Sequence, residues 1–387
     1  MAATRPTVMI YVQHLMGIGH QRRAALISRR LCAKGARVVY VSGGFPVPGL
    51  DIGGARFVQL PPARAADLNY AALLDERGRS VTPEWQASRR KLLLDTFRRA
   101  RPQALLIETF PFGRGLLRFE LLPLVEAVRA GQFSTRLSCS VRDIIEPRSP
   151  ARSESIARMV ESHFHQVLVH ADPAVIRFEQ SYPLADRFPA KLRYTGFVAD
   201  LTGAAAEPGS GGGVVVSAGG GIVGESLLET ALRARAHSRL RSRPWRFLAG
   251  PGISAGTFAR LREQAPAGVT VERNRADFSA LLSRCTVSIS QAGYNTLLDV
   301  VLARARAVVV PFTDGRHTEQ PTRARLFEQR GLVRRVEAAG LTPETLARAV
   351  DAAAQSARPP PGALDVNGAE RTAELVLASP DREIRAD

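Results

Sequence analysis

Short apolar runs alternate with helical patterns along almost the whole chain, and this alternation limits the fold more than any other feature. VMIYVQH (8–14) precedes the helix-like QRRAALISRRLCAKG (21–35); RVVYVS (37–42) and ARFVQL (55–60) are predicted strands. After a polar stretch, PEWQASRRKLLLDTFRRA (83–100) is helical again. ALLIET (104–109) and TRLSCSV (135–141) flank the helical GLLRFELLPLVEAVRA, and SESIARMVESHF and QVLVHA continue the series. Short strands without polar alternation are buried on both faces, and a helix between two of them covers a parallel sheet. The series pauses at the Gly-, Ala- and Pro-rich YTGFVADLTGAAAEPGSGGG (194–213), which predicts a linker. It restarts with VVVSAGG, ESLLETALRARA, WRFLAG, VTVE, a short helix at 276–283 and TVSIS. The expected class is α/β, with two Rossmann-like domains whose parallel sheets face each other across a cleft. Their expected spans are 1–197 and 198–364, with 365–387 as a last helix and tail beyond ARPPPG (357–362).

A length of 387 residues also favours two domains. Cys32, Cys139 and Cys285 form neither a metal-ligand spacing nor a disulfide framework, which suits a reducing cytosol. The start lacks the long apolar core of a signal peptide, because Gln13 and His14 interrupt it. No apolar run reaches the about 18 residues that span a bilayer. The expected location is cytoplasmic, with peripheral attachment to the inner face of the membrane as an extension. Net charge is +17, and the first 200 residues hold 29 Lys and Arg against 17 Asp and Glu. Arg22, Arg23, Arg29, Arg30 and the Arg89-Arg90-Lys91 cluster suit an anionic surface, although such runs are commonly a solvated helix face. Only 6% of residues are aromatic, so stacking platforms are scarce and nucleic acid is not an expected partner.

In open parallel sheets, ligands gather beyond the carboxyl ends of strands, and five groups of candidate residues lie there. MGIGH follows the first strand, with Gly17 and Gly19 allowing a tight turn and His20 suited to general-base work. A helix cap with a surface histidine is the plain alternative. SAGGGIVGES places Ser217, Gly219, Gly220 and Gly221 between a strand and a helix, where backbone amides can cradle a phosphate; an ordinary βα turn would look the same. SQAGYNTLLD holds Ser290, Gly293, Asn295, Thr296 and Asp299, the last a carboxylate two turns into a helix that could accept ribose hydroxyls. PFTDGRHTEQPTRA holds Glu319 and Gln320, a carboxylate–carboxamide pair suited to sugar hydroxyls, with Thr318 as a candidate helix cap. Glu319 would also simply favour the helix dipole. The last group is Glu108, Arg114, Arg142 and Asp143. Glu108 or Asp143 could hold a His20 imidazolium and raise its basicity, and Arg114 or Arg142 could meet an acceptor phosphate. An ion pair among these same groups is an equal reading.

There is no HExxH, CxxC or GxSxG motif, and no Asp-x-Asp to hold a divalent metal on a diphosphate. No metal and no cofactor is expected.

Together these motifs resemble the GT-B glycosyltransferases. Within them the likeness is closest to the lipid-intermediate N-acetylglucosaminyltransferase of peptidoglycan synthesis and to a related bacterial group of predicted glycosyltransferases. It rests on GIGH, YTGFV, the glycine turn and SQAGYNTLLD…PF…EQ…RA…L…G, and covers most of the chain. The resemblance implies a UDP-sugar bound mainly by the second domain. Gly219, Gly220 and Gly221 would then lie near the diphosphate, and Ser290 and Gly293 at the donor helix. Asp299 would meet the ribose, Glu319 and Gln320 the sugar, and His20 the acceptor, while the final helix would cross back to the first domain. The chain departs from the peptidoglycan enzyme in its shorter first glycine loop and in Glu319, where a second glutamine is usual. FPFGR and SVRDI have no counterpart there, so the resemblance speaks to the donor more than to the acceptor.

The expected function is a metal-independent inverting glycosyltransferase, hexosyl- or N-acetylhexosaminyl-, acting on a hydroxyl acceptor that includes lipid or lipid-linked molecules. A UDP-sugar hydrolase or epimerase on the same fold, and a non-catalytic nucleotide-sugar-binding subunit, are the alternatives.

Overall fold

The computed structural model describes residues 5–67, 70–131, 133–201, 212–218, 224–250, 252–273, 275, 277–314 and 317–378. The chain forms two compact units, one of residues 1–198 with 365–387 and one of residues 199–364.

The first unit is built on a seven-stranded sheet whose paired strands all run parallel. Strand β1 (Thr7–Val12) leads into helix α1 (Gly19–Ala33), then β2 (Arg37–Ser42) and β3 (Arg56–Gln59). The polar stretch that follows contains a small antiparallel pair, β4 (Arg64–Ala65) and β5 (Leu73–Leu74). Two-residue strands are too short to leave a periodic signal. Helix α2 (Pro83–Ala100) has the predicted bounds because its ends are written locally. The Thr82 side chain accepts from Trp85 N, Pro83 opens the first turn, and Arg101 closes the helix in the left-handed conformation. Next come β6 (Ala104–Glu108), α3 (Arg118–Arg129), β7 (Arg136–Arg142), α4 (Pro150–His163), β8 (Gln166–His170) and β9 (Leu192–Tyr194). The strand order is β3-β2-β1-β6-β7-β8-β9, so the chain reverses direction across the sheet between β1 and β6. Such a reversal leaves a crevice at the strand ends.

The second unit repeats the plan with β10 (Val214–Ser217), α5 (Glu225–Ala234), β11 (Trp245–Ala249), α6 (Ala255–Glu263), β12 (Val269–Arg273) and α7 (Phe278–Arg284). It continues with β13 (Val287–Ser290), α8 (Tyr294–Leu302), β14 (Ala307–Val309), α9 (Glu319–Gln329), β15 (Arg334–Arg335) and α10 (Pro343–Gln355). Its sheet is parallel in the order β12-β11-β10-β13-β14-β15, with the reversal between β10 and β13. Val214, Val216, Trp245, Phe247, Val287 and Ile289 pack from the strands against Leu227, Leu228, Ala231 and Val350 of the helices.

The final helix α11 (Gly368–Leu377) belongs to the first unit and packs on α1. Ala373 and Val376 join the core around Val8, Ile10, Ile27 and Leu31. The approach is close enough to demand glycine at two places. A Cβ on Gly368 would run into the Gly196 carbonyl oxygen, and Gly196 itself has φ +81°. No described helix is long and apolar enough to cross a membrane.

Two arginines of the basic runs face inward. Arg89 is fully buried, donating to Glu120, Gln13 and the carbonyls of Gly43 and Pro61. Arg23 is buried against Glu108. Both leave the basic surface expected from sequence, because each meets a carboxylate inside the fold.

Candidate active site

The reversal point of the first unit brings His20 and Glu108 together. Val12 ends β1, Glu108 ends the neighbouring β6, and His20 is the second residue of α1. His20 Nδ1 lies 2.7 Å from Glu108 Oε1, with the His20 side chain 19% exposed and that of Glu108 2%. An ionised carboxylate only accepts, so Nδ1 carries the proton and Nε2 keeps its lone pair. Glu108 is also clamped by Arg23 and by Arg114, whose Nη2 lies 3.0 Å from Oε2.

Electrostatics hold this cluster in one protonation state. Burial opposes ionisation of Glu108, but His20, Arg114 and Arg23 outweigh it and keep the carboxyl well below its usual range. For His20, burial is the largest influence and lowers its pKa from 6.5 to about 3. Next in weight, Glu108 raises it, while Arg114 and Arg23 push the same way as burial. Glu108 thus pushes the basicity of His20 upward, as expected from sequence, but burial, joined by Arg114 and Arg23, outweighs it.

The loop after β6 carries backbone strain. Thr109 (φ +67°) and Arg114 (φ +62°) both adopt the left-handed conformation. For a β-branched residue this costs on the order of 1–3 kcal/mol and collects at functional sites. Thr109 Oγ1 and Arg114 Nε are buried without a hydrogen-bond partner, as is His14 Nδ1 just past β1. Burial, then Arg114, lowers the His14 pKa to about 4.

The remaining first-unit candidates divide. Asp143 is buried and accepts from Ile144 N at 2.9 Å; it is not a partner of His20, so Glu108 alone fills that place. The Arg114 guanidinium is taken up by Glu108 rather than presented to solvent, which corrects its reading as a phosphate ligand. Arg142 is half-buried at the end of β7, opposite His170 in the sheet register. Neither Gly17 nor Gly19 has a positive φ, and a Cβ on Gly17 would meet nothing within 4 Å. The turn itself therefore does not require glycine at position 17.

In the second unit, the equivalent reversal point pairs Ser217 with Ser290 across β10 and β13. Both are buried, and Ser290 Oγ has no hydrogen-bond partner. Gly219, Gly220 and Gly221 lie outside the described residues. Gly293 caps α8 without a side-chain bond, and the first turn of the helix holds no acidic residue. Asn295, Thr296 and Asp299 are half-buried on this helix. Gln320 Oε1 accepts from Ala292 N at 3.1 Å and from Phe312 N at 3.0 Å, tying the loop before α8 to the loop before α9. Glu319 Oε1 accepts from Arg323 Nη2 at 2.7 Å, and Arg323 Nη1 donates to the Ala292 carbonyl at 3.0 Å. Thr318 makes no side-chain cap bond to α9; with φ −106° and ψ −10° it is already near-helical, which an N-cap residue is not.

Sequence alone places Arg23 only on the basic surface and gives Arg323 no role at the site. Each has a local signature, since Arg23 follows His20 by three and Arg323 follows Glu319 by four, the spacing of helix neighbours.

Residues 269–364 match the C-terminal domain of glycosyltransferase family 28. This segment contains every second-unit candidate except Ser217 and the three glycines. No curated protein sequence matches the chain. Among solved structures, CalG4, the calicheamicin glycosyltransferase, is 14% identical with a TM-score of 0.61, covering 98% of this chain and 97% of that one. MurG of Acinetobacter baumannii is 14% identical with a TM-score of 0.57, covering 96% and 99%. The Streptomyces sp. SF2575 glycosyltransferase SsfS6, complexed with thymidine diphosphate, is 15% identical with a TM-score of 0.55, covering 95% of each chain. The chain thus has the two-domain fold of the GT-B glycosyltransferases, and its second unit carries a match to the family 28 C-terminal domain.

Proposed function

We propose that the protein is an inverting, metal-independent glycosyltransferase that moves a hexosyl or N-acetylhexosaminyl group from a UDP-sugar to a hydroxyl acceptor. The observation that carries this reading is the His20–Glu108 pair at the reversal point of the first sheet. His20 Nε2 takes the proton of the acceptor hydroxyl. The oxygen attacks the anomeric carbon as the bond to UDP breaks, and a single displacement inverts that centre. The imidazolium formed is met by Glu108 through Nδ1–H, an arrangement in which the carboxylate orients and stabilises without taking the proton.

The departing diphosphate lies against the amino end of α8, which supplies the charge stabilisation a metal would otherwise give; the sequence resemblance adds Gly219, Gly220 and Gly221 to its ligands. The absence of an Asp-x-Asp motif supports metal independence. The unpartnered Ser290 hydroxyl adds a donor at the same place. Asp299 accepts the ribose hydroxyls, and Glu319 and Gln320 hold the sugar. The Glu319–Arg323 pair moderates a charge that would otherwise repel the diphosphate. Thymidine diphosphate in the Streptomyces sp. SF2575 enzyme supports a nucleoside diphosphate donor, and uridine follows the resemblance to the peptidoglycan enzyme. Work on lipid or lipid-linked hydroxyls at the inner membrane face draws support from the exposed Arg22, Arg30, Arg98 and Arg99.

The test is incubation with UDP-glucose or UDP-N-acetylglucosamine and a cell extract, with products read by mass spectrometry. Transfer to a hydroxyl, abolished by His20→Ala, supports the reading. Equal UDP release without acceptor would make the protein a hydrolase, sugar isomerisation an epimerase, and donor binding without turnover a binding subunit.

A further inference from the structure

A second concentration of charge in the first unit lies outside the His20 pair. Arg118, Arg148 and Arg152 line a cavity of about 210 Å³ with Phe112, Gly113 and Gly115. Arg118 is the first residue of α3, Arg152 is in the first turn of α4, and Arg148 precedes the Ser149 cap of α4. Helix amino ends already carry partial positive charge, so arginine is electrostatically disfavoured there. The first turn of α4 holds no acid. Glu120, in the first turn of α3, is buried on Arg89 and Tyr11. Among the described residues, none of the three guanidinium groups has an ion pair or hydrogen bond; Arg152 bonds only through its backbone N–H to Ser149. Burial, then Arg118 and Arg148, pushes the Arg152 pKa down. Three like charges and two helix ends thus converge without a counter-charge, a repulsion that an anion would relieve.

The chemistry selects the anion. Arginine forks match the oxygens of a phosphoryl group bidentately. The cavity is smaller than the about 300–1,000 Å³ of sites that enclose a whole small molecule, so it suits one charged group of a larger ligand. The wall of the pocket and the His20 pair also share one loop. Gly113 and Gly115 line the cavity while Arg114 between them binds Glu108.

We propose that the Arg118–Arg148–Arg152 pocket anchors a phosphoryl group of the acceptor, making the hydroxyl substrate a phosphate-bearing molecule. The word acceptor rests on the glycosyl-transfer reading; the anion site does not. The full chain is titrated calorimetrically with inorganic pyrophosphate in the presence of saturating UDP, alongside Arg148→Gln, Arg152→Gln and Arg158→Gln. Arg158 lies on α4 and pairs with Glu154. The first two variants should weaken pyrophosphate at least tenfold, keep their UDP affinity, and melt no lower than the parent, because each removes an unneutralised charge. Arg158→Gln should change nothing. Co-sedimentation with phosphatidylglycerol vesicles, against phosphatidylcholine, separates the sources. Loss of vesicle binding in the two variants assigns a membrane phosphate, and loss of pyrophosphate binding alone assigns a soluble or pre-activated one. Variants that bind both probes like the parent overturn the proposal. Pyrophosphate binding that depends on the arginines, in a protein that never binds UDP, would retain the anion site and defeat the glycosyl-transfer reading.

Discussion

His20 and Glu108 stand 88 positions apart, and their side chains meet at 2.7 Å because β1 and β6 are neighbours in the sheet. The pair sits inside a ring of two arginines, so the imidazole rests neutral with its proton on Nδ1. For a glycosyl transfer that starts by removing a proton, this is the competent form of the base.

His20→Ala should lower turnover by about 10²–10⁴ and leave donor affinity within a few-fold. Steady-state kinetics with separate UDP-sugar titration checks the split. Equal losses in turnover and donor affinity would mean that the histidine holds the donor instead.

The pH dependence of turnover follows from the lowered pKa. An ordinary histidine base would give an acid limb near 6.5, whereas His20 is lowered to about 3. Turnover should therefore stay level from neutral pH down through 6.5 and fall only in more acid solution. An inflection at 6.5 in the wild type that vanishes in His20→Ala would contradict the burial argument.

Stability should show the opposite side of the same shifts. His20 and His14 have folded pKa values of about 3 and about 4 against 6.5 when exposed. Below 6.5 the unfolded chain binds protons that the folded one refuses. Their contribution is thus complete above pH 6.5 and is lost as pH falls towards 4 and then 3. Urea midpoints measured across this range in the wild type and in His14→Gln would reveal it, the variant showing the shallower decline.

Glu108→Gln should cost about 3–5 kcal/mol, because it leaves the Arg23 and Arg114 guanidinium groups buried opposite a neutral amide. Adding Arg114→Met should recover part of that loss. Denaturant unfolding of the two proteins gives the comparison, and strictly additive losses would show that the ring is not a coupled unit.

Ser290→Ala removes a buried hydroxyl that makes no bond within the fold. Stability should hold or rise by up to about 1 kcal/mol, while UDP affinity falls about tenfold. Thermal melting with and without UDP tests both halves. A loss of stability with unchanged UDP affinity would assign the hydroxyl a packing role.

Local periodicity already determined much of this protein. The strand–helix alternation, the parallel sheets and the bounds of α2 are set by burial patterns and end signals that lie within a few residues of each other. The strand-end position of Ser217, Glu108 and Ser290 follows from the same signals. Other features were decided only by tertiary structure. Sheet order chose Glu108 over Asp143 as the partner of His20, turned Arg23 and Arg89 inward, and aimed Gln320 at two loop amides. Sequence spacing records which face of an element is buried, but not which distant charge waits on the other side. That second fact, together with how deeply the pair is buried, decides whether a carboxylate can make a histidine more basic.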